Sequence, residues 1–399
     1  MQDLPFLTCD LPGIGGNIKQ YPEDFMVEER LLFPLSGNGE HLYVLVEKKN
    51  ITTTEVVRIL CQKLSIQKRA VGYAGQKDAR AITKQHFSLH GVSEQQLKNL
   101  QGLDSCKFLS SKRHDKKLKL GQISGNFFSI VIRNSKKDIT LVRKILSHLQ
   151  TVGVPNYFGA QRFGSTYNTH LLGKYLLLNN HNLFAEALFQ PHHNDRSRVA
   201  TAKKYFSIKE YKEAYKTMPG TFEAEKVVLS NLARGKEIEY SVKRIPKKIK
   251  YFYICAYQSY LFNLSLAQRL PTLDILWDGD LAVLHPSRSV FLVDNSVKEQ
   301  PRCTKNNISP SGPVFGYKMT CPRGKQLQIE KNIATQENLD IELFRDYKAK
   351  GERRSYRFFL QETDVSENEQ GILVHFFLNK GCYATTVLRE IMKSDNKVS

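Results

Sequence analysis

The sequence predicts an α+β protein in which a domain with a largely antiparallel sheet is interrupted by a mixed α/β insertion. Three observations lead to this prediction. Residues 16–158 mix strand patterns with amphipathic helices, whereas residues 168–270 are mostly helical in pattern. From about residue 350 onward, strand, strand and helix patterns return. A length of 399 residues with 41% apolar content is ample for two domains.

The first domain begins with two strand segments, DFMVEERLLF and EHLYVLVEKK. Thr52 and Glu55 form a capping box ahead of a helix whose apolar residues recur at helical spacing. Short strands are predicted around AVGYAG, QHFSLHG and GNFFSIVIR. A helix follows over ITLVRKILSHLQ and is expected to end at the glycine and proline of VGVPNYFG.

The middle of the chain has apolar faces at helical spacing in THLLGKYLLL, FEAEKVVLSNLA and ICAYQSYLFNLSLAQRL. Short β segments follow in ILWDGDLAVL and RSVFLV, and the prolines and glycines of ISPSGPVFG and CPRGK are expected to break them. After a helical DIELFRDYK come SYRFFLQ, GILVHFFL and YATTVLREIM as strand, strand and helix. This return to the first pattern indicates a discontinuous domain.

The charge balance indicates a polyanionic partner. Lys and Arg total 59 against 39 Asp and Glu, a formal net charge of +20. This exceeds what solubility needs and favours nucleic acid, although a generally basic surface without a specific ligand is the alternative. No membrane association is expected, because the chain has no apolar run of spanning length and no secretory pattern at its start.

Other composition features narrow the class of protein. Seven cysteines without a CxxC pair indicate reduced thiols and a cytoplasmic protein. His192 and His193 lack an HExxH frame, so no metal site is predicted. GIGGN is expected to be a loop, and neither GxxxxGK[ST] nor GxSxG is present, so no cofactor is predicted. Without a heptad or apolar dimer stripe, we expect a monomer and no protein partner.

The most informative segment is AVGYAGQKDARAITKQHFSLHG, residues 70–91. A β-type run meets Gly75, where the chain can turn, and Lys77, Asp78 and Arg80 follow before the next strand. An aspartate between cations stays ionised and can act as a nucleophile or as a base. The alternative is a surface loop with a local ion pair, and the local pattern alone favours that alternative.

Residues 111–128 interleave basic residues with strand residues and end in Phe127 and Phe128. A basic edge can follow phosphates while an aromatic ring stacks on an unpaired base. Strand alternation places Phe128 on the same face as Ile130 and Ile132. That face is either core or cleft, and the pattern favours core.

Several motifs in one order give a more specific indication: the chain resembles the TruD-type tRNA pseudouridine synthases. The matching segments are NIKQYPEDFMVEE, GEHLYV, GYAGQKDARAITKQHFS, KLKLGQISGNFF, VPNYFGAQRFG, AYQSYLFN, ISPSGPVFG and FFLNKGCYATTVLREI. Asn379 and Cys382 depart from the family, where proline and serine are more usual. The resemblance implies the pseudouridine synthase fold. Its catalytic domain would be residues 1–155 plus 348–399, with residues 156–347 as the insertion domain.

The resemblance also implies an activity and its residues. Asp78 would be the catalytic carboxylate that isomerises a uridine of tRNA, with position 13 in the D arm as the suggested target. Lys19 would keep Asp78 charged, and whether Asp78 attacks C1′ or removes a proton at C2′ stays open. Asn126 would lie at the catalytic cleft and Phe128 would stack on the base. The implied substrate-binding residues are Lys19, Lys77, Asn126, Phe128 and Tyr383.

Two other functions fit parts of the sequence. A non-catalytic RNA-binding or RNA-chaperone protein would show the same charge and aromatic content, but it has no need of the Lys77–Asp78 pair. An enzyme acting on a nucleoside or glycoside would need two carboxylates at a fixed separation. Glu28 or Glu29 could then be the partner of Asp78, but nothing in the spacing pairs either with it. Both glutamates are expected to be exposed.

Overall fold

A computed structural model of the chain describes residues 4–100, 105–164 and 166–394. The chain divides into two compact units. The first, which we call the sheet unit, comprises Phe6–Val154 and residues 358–394. The second, which we call the helical unit, comprises Pro155–Arg357 with residues 4–5. None of the described helices has both the length and the apolar content that crossing a bilayer requires.

The first part of the sheet unit contains six strands and two helices. They are β1 Phe25–Leu31, β2 His41–Lys49, α1 Thr53–Leu64, β3 Val71–Tyr73, β4 Ile82–His90, β5 Cys106–His114, β6 Ile123–Ile132 and α2 Ile139–Val152. Short 3-10 helices lie at Pro22–Asp24, Lys68–Ala70 and Gln95–Leu100. The predicted capping box is confirmed, because the Thr52 side chain accepts from the Glu55 amide and the Glu55 carboxylate accepts from the Thr52 amide. Helix α2 ends at Gly153, as expected.

The chain enters and leaves the helical unit through two short strands that pair with each other, each of which includes one residue of the sheet unit. Its elements in chain order are β7 Val154–Pro155, α3 Thr169–Leu177, α4 His181–Phe189, α5 Ser197–Ser207, α6 Tyr211–Thr217, α7 Glu223–Leu232, α8 Ile238–Lys243, α9 Lys247–Arg269, β8 Leu281–Leu284, β9 Val290–Leu292, α10 Ser296–Thr304, β10 Ile308–Val314, α11 Gly324–Gln336, β11 Glu352–Ser355 and β12 Arg357–Phe358. Further 3-10 helices lie at Ala160–Phe163, Leu270–Thr272 and Ile341–Arg345. Helix α3 approaches α9 closely, because a Cβ at Gly173 would lie 2.2 Å from the Tyr253 carbonyl oxygen. The mostly helical pattern predicted for residues 168–270 is confirmed.

Strand β10 corrects one prediction. The sequence predicts that the prolines and glycines of ISPSGPVFG break the β structure, but Ile308–Val314 is a buried strand. Its first half pairs with β8, where Pro310 lies opposite Ala282, and its second half pairs with β11, where Pro313 lies opposite Arg353. Each half therefore has one of these strands as its neighbour. A proline, which lacks an N–H, is tolerated where its strand is unpaired on one side.

The last segment completes the sheet of the sheet unit. It contributes β13 Gln361–Asn368, β14 Gly371–Asn379 and α12 Ala384–Met392. The eight-stranded sheet has the order β13-β14-β6-β1-β4-β2-β5, and β3 pairs with β4 beside this path. The pair β1–β4 is parallel, and the other pairs with a described register are antiparallel. The predicted α+β class with a mainly antiparallel sheet is confirmed.

Strand β4 changes its neighbour halfway along its length. Its first residues pair in parallel with β1, so that Val27 lies opposite Thr83. Its last residues pair antiparallel with β3, where Tyr73 lies opposite Phe87. The connection between β3 and β4, residues 74–81, therefore leaves the sheet where β1 takes the place of β3.

One face of the sheet carries two apolar clusters and a row of polar residues. The first cluster packs β1, β6 and β14 against α2 and α12, and the second packs β2 and β4 against α1. Because Val27 and Thr83 are opposite in register, Glu29 and Gln85, two residues further along each strand, lie on this same face. Asn126 of β6 lies opposite Glu29. We call Asn126, Glu29 and Gln85 the polar strip.

Candidate active site

Asp78 lies in the connection of residues 74–81, which we call the Asp78 loop. Side chains from α1 and β4 fasten its backbone. The side-chain amide nitrogen of Gln85 donates to the Gly75 carbonyl oxygen at 2.6 Å. The backbone N–H of Lys77 donates to Thr53 Oγ1 at 3.0 Å. Thr53 Oγ1 in turn donates to Gln85 Oε1 at 3.0 Å. These bonds fix the path of the loop before it reaches Asp78.

A buried lysine holds the backbone of Asp78 itself. Lys48 continues the inward-facing series of β2 after Val44 and Val46, and its side chain is fully buried. Its Nζ donates to the Asp78 carbonyl oxygen at 2.6 Å and to the Ile51 carbonyl oxygen at 2.8 Å. Burial lowers the pKa of Lys48 to about 8, although the nearby Asp78 carboxylate acts in the opposite direction. Buried ammonium groups that keep such contacts anchor the segments they contact.

The lowered pKa of Lys48 gives a testable pH dependence of stability. A lysine in an unfolded chain titrates near pH 10.4, so between about pH 8 and about pH 10 the unfolded chain binds more protons at this residue than the folded one. The free energy of unfolding of the wild type, relative to Lys48→Met, should therefore rise over this range, by at most about 3 kcal/mol. Urea unfolding of both proteins at about pH 7 and about pH 9.5 measures this difference. Parallel pH dependences of the two proteins would contradict a lowered pKa.

The carboxylate of Asp78 forms an ion pair with Lys19 and stays open to solvent. Lys19 Nζ lies 2.9 Å from Asp78 Oδ2, and the Asp78 side chain is 50% exposed while that of Lys19 is 11% exposed. The same ammonium group lies 4.4 Å from the centre of the Phe25 ring. Lys19 has a left-handed backbone, with φ of 57°, ahead of the 3-10 helix Pro22–Asp24 that precedes β1. One side of Asp78 is thus held by a cation and the other is accessible.

Lys77 turns away from its neighbour Asp78 and reaches the polar strip. Its Nζ donates to Asn126 Oδ1 and lies 3.1 Å from Glu29 Oε2. The Lys77 side chain is 8% exposed and that of Glu29 is fully buried. The His86 backbone amide donates to the other Glu29 carboxylate oxygen at 3.3 Å. The buried Glu29 carboxylate thus contacts the Lys77 ammonium group, which in turn contacts the side-chain amide of Asn126.

The environment of Glu29 corrects a second prediction. Both glutamates of this segment were expected to be exposed, yet only Glu28 is, where it pairs with Lys84 at 3.0 Å. Strand alternation explains the difference, because Glu29 follows Phe25 and Val27 on the inward face of β1. A mechanism with two carboxylates needs both of them open to the substrate. Buried Glu29, already paired with Lys77, does not meet that requirement.

Two further residues implied by the family resemblance have different environments. Phe128 is 9% exposed and lies in the first apolar cluster, as the pattern favoured, with its ring centre 6.1 Å from Phe25 and 5.5 Å from Phe376. Its predicted face, shared with Ile130, is confirmed. Tyr383 is 40% exposed at the N-terminus of α12. Within the described residues, no hydrogen bond joins it to Asp78 or to the polar strip.

The structure therefore brings Lys19, Lys77 and Asn126 together with Asp78. It adds Lys48, which sequence reasoning missed, and Glu29, which sequence reasoning considered only as an exposed carboxylate. A signal for both was present, because each occupies an inward position of a strand whose other inward positions are apolar. In the ranges that the structure describes, no group of three His, Cys, Asp or Glu side chains is arranged to hold a metal ion.

Comparison with known proteins identifies the family. Residues 3–391 match the family described as tRNA pseudouridine synthase D (TruD). The tRNA pseudouridine synthase D of Syntrophotalea carbinolica is 38% identical over 395 residues, which cover 98% of this chain and 99% of that protein. A protein of the same name from Thermus thermophilus is 34% identical, with coverages of 98% and 92%.

A solved structure agrees with this match. The crystal structure of a protein from Methanosarcina mazei that carries the TruD name has a TM-score of 0.86 to this fold at 26% identity. The alignment covers 98% of this chain and 96% of that one. Because the family match spans nearly the whole chain and the relatives are covered almost completely, this protein belongs to the tRNA pseudouridine synthase D (TruD) family.

Proposed function

We propose that this protein converts a uridine of tRNA to pseudouridine and that Asp78 is the catalytic carboxylate. The observation that carries the proposal is the asymmetry around the Asp78 loop. Its anchoring lysines, Lys19, Lys48 and Lys77, have side chains that are nearly or fully buried, whereas the Asp78 carboxylate is half exposed. A loop held in this way offers one carboxylate to a substrate, which is what a single-carboxylate enzyme needs.

The proposed reaction is an isomerisation that exchanges one glycosidic bond for another. The N1–C1′ glycosidic bond breaks, the uracil turns within the site, and C5 forms the new bond to C1′. The proton on C5 is lost and N1 gains one, so atoms and charge balance and no electrons are exchanged with a cofactor. Asp78 can serve as the nucleophile at C1′ or as the base at C2′, and both roles require its ionised form. Lys19 Nζ lies 2.9 Å from Asp78 Oδ2, so the two side chains form an ion pair at the proposed reaction site.

The target uridine has to leave its stack before it can reach Asp78. This extrusion costs a few kcal/mol, and stacking on an aromatic side chain returns about 1–3 kcal/mol. Phe128, a residue that is 9% exposed, is the proposed stacking partner. Asn126 and the more exposed Tyr383 are the other proposed substrate-binding residues, and Lys77 is proposed to act on the substrate through its contact with Asn126.

Binding of the rest of the tRNA requires a positively charged protein surface. The first turns of α9 combine exposed Lys247 and Lys248 with the exposed aromatic side chains of Tyr251 and Phe252, each one helical turn further along. Lysines neutralise phosphates while aromatic rings stack on unpaired bases, so this surface suits RNA. We propose uridine 13 in the D arm as the target. In this proposal the sheet unit is the catalytic domain and the helical unit is the insertion, in a cytoplasmic monomer.

Pseudouridine mapping of total RNA tests the activity and the target. A synthase leaves the mass of the RNA unchanged while creating a base that carbodiimide reagents label. In cells that lack this protein, we expect the label at uridine 13 of a subset of tRNAs to disappear, and the wild-type gene should restore it. Identical maps with and without the protein would refute the proposed activity. A lost label at another tRNA position would refute uridine 13 alone.

A further inference from the structure

The contact between Lys77 and Asn126 fixes which atom of the asparagine side chain points away from the lysine. An ammonium group has three donors and no acceptor, so the side-chain atom that faces Lys77 Nζ has to be Oδ1. The amide nitrogen Nδ2 then points the other way. No protein group in the described part of the chain accepts a hydrogen bond from Nδ2, and Asn126 is partly exposed as a residue. Its two hydrogens are therefore available to a ligand.

The lysine itself is held in place by a buried carboxylate. Glu29 Oε2 lies 3.1 Å from Lys77 Nζ, and the Glu29 side chain has no exposed surface. Removing either member would leave an unpaired charge away from water, which is costly, so the two side chains keep their arrangement. Strand pairing fixes the backbone of Asn126, because Asn126 lies opposite Glu29 on one neighbouring strand and opposite Leu378 on the other.

We infer that Asn126 is a preset hydrogen-bond donor to a carbonyl oxygen of the target uracil, and that Lys77 and Glu29 are positioning residues that prevent its amide from turning. This inference rests on the proposed function. A donor in this position matches either carbonyl oxygen of uracil. Against O4 it would also reject cytosine, which has an amino group there, because two donors would then face each other.

A double-mutant cycle on Lys77 and Asn126 tests the inference. Asn126→Ala should lower the single-turnover rate by about 10²-fold, as the loss of one preset donor typically does. Lys77→Met, which keeps the length of the side chain, should lower it by about 10-fold or more in the wild type, but by less than about 2-fold in Asn126→Ala. Glu29→Gln should behave as Lys77→Met does in both backgrounds. If Lys77 has a merely structural role, the two substitutions act independently, and their fold-reductions of the single-turnover rate multiply in the double variant.

Substrate analogues identify the acceptor. Transcripts that carry 4-thiouridine or 2-thiouridine at the target position replace one carbonyl oxygen by a weaker acceptor. We expect one of the two to slow the wild type and to have a much smaller effect on Asn126→Ala. Equal sensitivity of both proteins to both analogues would overturn the assignment of a carbonyl acceptor.

The outcomes separate this inference from the proposed function. If the wild type forms pseudouridine but the Lys77 and Asn126 effects multiply, the positioning role of Lys77 is refuted and the activity stands. If the wild type forms no pseudouridine in any tRNA, the proposed function fails and the inference fails with it. If Lys77→Met is unfolded, Glu29→Gln decides the same question.

Discussion

Asp78→Asn is expected to bind tRNA as the wild type does and to form pseudouridine at a rate lower by roughly 10⁴-fold or more. The substitution keeps the size of the side chain but removes its charge, so the residue can neither attack C1′ nor accept a proton from C2′. Lys48 holds the backbone oxygen of this residue, which the substitution leaves unchanged, so the loop should keep its path. Single-turnover assays with saturating enzyme and a filter-binding titration measure the two quantities.

A matched control accounts for the change in net charge. Asp115 is exposed in the connection between β5 and β6, and no ion pair is described for it. Asp115→Asn should form product at the wild-type rate and bind tRNA with nearly unchanged affinity. Pseudouridine formation by Asp78→Asn at a rate close to that of the wild type would refute the catalytic role of Asp78. A loss of tRNA binding by Asp78→Asn would instead make Asp78 a binding residue.

Phe128→Ala is expected to lower the free energy of unfolding by about 3–5 kcal/mol, the usual cost of removing a buried phenylalanine ring. Phe128 is 9% exposed and its ring packs against Phe25 and Phe376, so its loss leaves a cavity in the first apolar cluster. Phe128→Leu retains more volume and should cost less. Urea unfolding of the three proteins measures these differences.

A leucine pair separates packing from base stacking. Phe376 lies in the same cluster and has no exposed surface, so Phe376→Leu is a control that alters packing alone. If Phe128 stacks on the uracil, Phe128→Leu should slow turnover by about 10-fold or more, because stacking is worth about 1–3 kcal/mol, while Phe376→Leu should not. Equal rates in the two leucine variants would leave Phe128 as a core residue only.

Local patterns were enough to predict most elements of the sheet unit. Period-2 segments became β1 and β2, the capping box marks the start of α1, and Gly153 ends α2. Side-chain spacing also placed Phe128 and Ile130 on one face. These features depend on neighbours within a few residues, which a sequence records directly. The parallel pairing of β1 with β4 joins residues far apart in the chain, so no local pattern predicts it.

The candidate site was predicted less completely, and for the same reason. Asp78 by itself looked like a charged loop residue, and its catalytic role came from the family resemblance. Glu29 was expected at the surface because a glutamate usually lies there, yet strand alternation turns it inward to meet Lys77 from another part of the chain. Lys48 is buried because two carbonyl oxygens accept its hydrogen bonds, and one of them belongs to Asp78.

The change of neighbour along β4 has a consequence for local motion. β1 and β4 share three register pairs, and we call this short pairing the seam. It joins the half of the sheet that packs against α2 and α12 to the half that packs against α1. Each half has its own apolar cluster, so the seam has fewer contacts than either half. Segments with few contacts open at a lower free energy than the whole domain unfolds. The Asp78 loop lies at this seam, so local opening of the seam is expected to abolish catalysis before the whole sheet unfolds.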